Sequence, residues 1–134
     1  MILIGLFGGS PESREEITAV VMRAAGAQMA VYNLGDAQGA AGRSRLDRLA
    51  IALRGAGAKV KADGLLIPHV LSLDEAQAIR ARGGHLWHVM GEPSEVIPIQ
   101  PQDLHVTSFA GGCRHYLDAL EAYSETLLRV GRVR

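Results

Sequence analysis

One cysteine, Cys113, stands in a chain of 134 residues, so no internal disulfide can form. With no CxxC and no Cys/His run, the sequence offers no structural zinc site. Aromatic residues make up 4% of the chain, so any core has to be built from Leu, Ile, Val and Ala. Net charge is missing as well. The 14 Lys+Arg balance 14 Asp+Glu, which argues against a general nucleic-acid binder. No apolar run approaches the roughly 20 residues of a membrane-spanning helix. The N-terminal apolar run lacks a preceding basic segment and breaks at Gly5, unlike a signal peptide. What remains is a globular composition, 48% hydrophobic and 21% charged, at a length that suits one domain over residues 1–134. A cytoplasmic location with no membrane association is expected.

Met1 to Phe7 (MILIGLF) is apolar without alternation, the pattern of a strand covered on both faces in a parallel sheet. Gly8-Gly9-Ser10-Pro11 breaks it, and Ile17, Val20, Val21 and Ala24 then recur at helical spacing, which predicts a helix from Pro11 to Ala25 with Gly26 as its C-cap. Residues 28–34 read as a second strand and GDAQGAAGRS as a loose stretch. Leu46, Leu49, Ala50 and Leu53 mark the apolar face of a second helix, with Arg43, Arg45, Arg48 and Arg54 read as its solvated face. Further strands are expected at 64–70, 85–90 and 104–107. A short helix should be capped by Ser72 and Glu75, and a final one outlined by Tyr116, Leu120, Tyr123 and Leu127. Such alternation predicts a three-layer α/β domain with a mainly parallel sheet and the first strand near its centre.

A strand running through a glycine turn into a helix is the setting of a phosphate-binding loop of the type GxxxxGK[ST]. Started at Gly8, that pattern puts Ser13 at the second Gly, Arg14 at the Lys and Glu15 at the hydroxyl. Gly8, Gly9, Ser10, Ser13 and Arg14 are therefore the candidate site, a degenerate phosphate loop. Glu12, Glu15 and Glu16 crowd the same turn, where carboxylates suit the helix dipole and repel phosphate. Ser10 as N-cap, or Ser13 with Glu16, describes an ordinary helix start. Cys113 with His115 and Asp118 suggests a thiol nucleophile, but a cysteine near the final helix cap is the simpler reading. His85 and His88 fall on opposite faces of one strand, and the five histidines form no metal constellation.

The chain resembles the phage-type deoxynucleoside monophosphate kinases, a branch of the P-loop kinases. Ile4-Gly5-Leu6-Phe7-Gly8 looks like their first strand and loop, and Leu66 to Val89 resembles a family stretch of the type ISDVRFPNEAEAIRALGGRVVRV. The match is carried by Asp74-Glu75-Ala76, Ala78-Ile79-Arg80 and Gly83-Gly84, with Pro93-Ser94-Glu95 where the family has His-x-Ser-Glu. In the family's Asp-Val-Arg element, His69 stands for Asp and Leu71 for Arg, and the stretch from Leu34 to Gly64 is too short for a substrate region with an arginine-bearing lid. The resemblance thus implies a kinase-like scaffold whose reaction is lost: a binding or regulatory module of phage or prophage origin, with another protein or a second copy as partner and no cofactor. The alternatives are a minimal kinase taking ATP and magnesium with Arg14 in place of Lys, or a nucleotide-binding module without turnover. IGLFGGS also looks like the opening of the nicotinate-nucleotide adenylyltransferases, but their loop histidines have no counterpart here.

Overall fold

The computed structural model describes residues 2–35, 44–55 and 64–131. Strand β1 (Ile2–Phe7) is buried along its whole length and leads through Gly8 and Gly9 into helix α1 (Pro11–Ala25). Ser10 caps α1 by accepting from the Ser13 amide, Pro11 sits where no amide partner is needed, and Gly26 ends the helix at φ 58°. Then follow β2 (Met29–Val31), α2 (Arg45–Gly55), β3 (Gly64–Ile67), α3 (Leu73–Ala81), β4 (His85–Val89), β5 (Leu104–Val106) and α4 (Ala119–Arg129). The five strands form one sheet in the order β2-β3-β1-β4-β5, every pair parallel, so β1 lies at the centre as its two-sided apolar character requires.

Period-two alternation splits the core between the two faces of the sheet. Ile2, Ile4, Leu6, Trp87 and Val89 meet α1 and α4 through Ile17, Val21, Ala122 and Tyr123. Leu3, Phe7, Leu65, Ile67 and Leu86 meet α2 and α3 through Leu49, Leu53, Ala76 and Ile79. The result is a three-layer α/β domain. The lone Trp87 is fully buried, and its indole N–H donates to Thr126 Oγ1 of α4 at 3.1 Å, so burial leaves no orphan donor.

Three helical expectations need correction. On α2, Leu46 and Ala50 are exposed, and Arg45, placed by pattern on the solvated face, is buried. Tyr116 precedes α4, and Leu120 is exposed, because Ala119, Ala122, Tyr123 and Thr126 form the buried face. Of the expected stripe, Tyr123 is buried and Leu127 packs against the core, whereas Leu120 points outward. The strands β2, β3, β4 and β5 are also shorter than the runs expected, although single backbone bonds from Tyr32, Val70 and Met90 to the neighbouring strands continue past the ends of β2, β3 and β4. The stretch 36–43, including Arg43, lies outside the described residues.

Candidate functional site

Ligands of open parallel sheets bind beyond the carboxyl ends of the strands, where neighbouring strands send their helices to opposite faces. Here that point lies between β1, which feeds α1, and β3, which feeds α3. The crevice between them holds the candidate loop and the segment Pro68 to Ser72.

The turn itself is short. Gly8 and Gly9 have φ of 74° and 64°, left-handed values that favour glycine, and α1 begins two residues later. Close approach fixes Gly9 as well, since a Cβ there would lie 2.9 Å from the Met90 carbonyl oxygen. The turn is tied to the chain after β4 by the Gly9 amide, which donates to the Glu92 carbonyl at 2.8 Å. Ser13 and Arg14 lie in the first turns of the helix, and their amides are taken by the Ser10 hydroxyl and carbonyl. The amides of Gly9, Ser13 and Arg14, which a phosphate cradle would aim at a ligand, are therefore already bonded within the protein.

Helical side chains lean toward the N-terminus, and this sends Arg14 back under the turn. It is 6% exposed. Its Nη1 donates to the Gly8 carbonyl at 2.6 Å and the Gly9 carbonyl at 3.1 Å, and its Nε donates to His69 Nδ1 at 2.9 Å. Because Nδ1 accepts, the hydrogen bond assigns the proton of neutral His69 to Nε2, which stands 3.7 Å from the exposed Glu15 carboxylate. Burial, and after it the charge of Arg14, hold the His69 pKa below its ordinary value; Glu15 acts in the opposite direction. Burial likewise lowers the pKa of Arg14. His69 is thus kept neutral with its lone pair occupied, and a general base needs that lone pair free.

A second buried arginine braces the crevice from α2. Arg45 meets Glu75 in a bidentate pair, Nε to Oε2 at 3.2 Å and Nη2 to Oε1 at 3.1 Å, and also donates to the carbonyls of Gly35 and His69. Glu75 Oε1 accepts from the Leu71 amide at 3.0 Å. This carboxylate does not close a box back onto Ser72, as its spacing suggested, although Ser72 does cap α3. Arg48 donates to the Leu34 carbonyl at 2.7 Å, and Arg54 is exposed. Two arginines of the predicted solvated stripe are therefore tied into the fold, Arg45 to a buried carboxylate and Arg48 to a backbone carbonyl. The pattern gave no warning of the Arg45 pair, because Glu75 is 30 residues away in the chain.

The structure also gathers residues that the sequence left scattered. His88 and His105 are register partners on β4 and β5, with ring centroids 5.4 Å apart, and His115 and Tyr116 continue the contact. His88 is 4% exposed, and both its ring nitrogens are buried without a partner. Among the described residues no group of three His, Cys, Asp or Glu is arranged to hold a metal ion. Asp118, considered beside Cys113, caps α4 and accepts from the amides of Glu121 and Gly111.

No protein-family model matches the chain, and no curated protein or solved structure matches it either.

Proposed function

We propose that this chain is a kinase-like scaffold without phosphoryl transfer, acting as a binding or regulatory module. Its sheet supports the kinase-like part: a central first strand enters a glycine turn and a helix at the topological switch point. The observation that carries the loss of reaction is Arg14. In the P-loop pattern this position neutralises phosphate; here the guanidinium is bonded to two carbonyls of its own turn and to His69. Two of the four positions at which the resemblance departs from its chemistry, Arg14 for Lys and His69 for Asp, are bonded to each other.

ATP with magnesium does not fit this turn. The hydroxyl position is Glu15, an exposed carboxylate, and the Gly8 and Gly9 carbonyls face a cation rather than leaving a cradle of amides. Phosphoryl transfer relies on positive groups around the transferred phosphate, and the cation at this turn, Arg14, is bonded to the Gly8 and Gly9 carbonyls and to His69. A protein partner, another chain or a second copy, is favoured by the apolar residues that α4 turns outward. Leu120 and Leu128 of α4, 51% and 55% exposed, line an open groove together with Leu117, which precedes the helix, and with Glu121, Ser124 and Glu125.

The test is ADP release with each deoxynucleoside monophosphate, ATP and magnesium, run beside melting curves with the same ligands. No turnover above background and no ligand-dependent rise in melting temperature are expected. Turnover abolished by Arg14→Ala would instead establish the minimal kinase. A melting shift without turnover would establish a nucleotide-binding module.

A further inference from the structure

At the opposite edge of the sheet, where β4 and β5 begin, a pocket of about 280 Å³ opens between the C-terminal ends of α3 and α4. Arg80 reaches it from α3, Arg129 from α4, His85 from the first position of β4, and Asp103 from just before β5. A basic residue in a last helical turn ordinarily serves the helix dipole. Here two of them, from helices on opposite faces of the sheet, line one cavity.

The carboxylate in this lining is already committed. The Asp103 side chain is 1% exposed, and Oδ2 accepts from Arg80 Nη2 at 2.7 Å and from the Gln100 amide at 2.9 Å. Arg80 is less well matched, since its Nε is buried with no acceptor. Arg129 is held in place by Nη1, which donates to the Gln102 carbonyl at 2.7 Å, while Glu125, which is not part of the lining, stands 3.5 Å from its Nε. Burial first and the charge of Arg129 second push the His85 pKa below its ordinary value.

We propose that this pocket binds a phosphate group, held between Arg80 and Arg129 with His85 as a third hydrogen-bond partner. Each guanidinium keeps one terminal nitrogen without a partner among the described residues, Nη1 of Arg80 and Nη2 of Arg129, and each can give a charge-assisted hydrogen bond to a tetrahedral oxyanion. The volume suits a phosphate on a small organic body rather than a nucleotide. The site is at the far end of the strands from the Arg14 crevice and stands whether or not the proposed function does.

Inorganic phosphate is the probe, titrated into the full chain at constant ionic strength balanced with chloride, with the His85 imidazole and Arg129 guanidinium followed by NMR. Saturable shifts at both groups are expected, with a dissociation constant of about millimolar and weakening of about tenfold in Arg129→Gln. His85→Gln, which keeps one donor, should weaken binding less. Acetate should bind more weakly than phosphate; tighter binding of acetate would overturn the assignment in favour of a carboxylate. Shifts that chloride reproduces, or phosphate affinity unchanged in a folded Arg129→Gln, would overturn the site altogether.

Discussion

Glu75→Gln tests whether the Arg45–Glu75 pair holds the crevice together. The change keeps shape and removes one charge, leaving Arg45 buried without a counter-ion. The two side chains are 9% and 4% exposed, so water cannot make good the loss. Breaking such a pair by altering one partner costs about 3–5 kcal/mol, and the carbonyls of Gly35 and His69 still accept from Arg45, which favours the lower end. At about 3 kcal/mol, a chain of this length should melt about 10 °C lower. The assay is urea unfolding at pH 7 of the wild type, Glu75→Gln, Arg45→Met and the double variant Arg45→Met with Glu75→Leu. The double variant should cost less than the sum of the single variants, because an apolar pair strands no charge. A cost below about 1 kcal/mol for Glu75→Gln, or strict additivity, would refute the reasoning. The His69 ring gives a second reading. Arg45 anchors the His69 carbonyl, so its imidazole resonances should shift in Glu75→Gln even at temperatures where the variant is fully folded.

The remaining expectations concern histidines and the turn. His69, His85 and His88 all have native pKa values depressed by burial, so the unfolded chain binds more protons below about pH 6.5. Stability should therefore be complete above that pH and fall as pH drops through the lower native values, which unfolding curves from pH 7.5 to 5 will show. His88→Leu should flatten part of this slope, by up to about 1.4 kcal/mol per pH unit. At pH 7.5 the same variant should be neutral or more stable, because it removes two unpartnered buried nitrogens. A clear loss of stability there would mean that those nitrogens are satisfied in solution. Gly9→Ala should cost about 2–3 kcal/mol in urea unfolding, since it forces a left-handed residue with its Cβ against the Met90 carbonyl.

Local patterns determined a good deal of this protein. The uninterrupted apolar run Ile2–Phe7 required a strand covered on both faces, and Ser10, Pro11 and Gly26 set the ends of α1 by capping chemistry that involves only near neighbours. Alternating strands and helices were enough to give a parallel three-layer domain. The candidate loop was legible as a place, because a glycine turn after a central strand lies at the ligand-binding edge of such a sheet. What Arg14 does there was not legible. Its position in the chain reads as a cation offered to phosphate, and only the folded turn directs it to the Gly8 and Gly9 carbonyls and brings His69, 55 residues away, to its Nε. Arg45 shows the same limit, since a charged residue at helical spacing reads as solvated until a distant carboxylate is brought against it. On α4 the expected face held at Tyr123 and Leu127 but not at Leu120, because the buried side of the helix is rotated onto Ala119, Ala122 and Thr126, the last of which accepts from Trp87. Apolar periodicity and capping act over a few residues and can be read in order along the chain. The partners of a buried charge, and the side of a helix that fits a given gap, are settled by residues tens of positions apart in the chain, and so by tertiary structure alone.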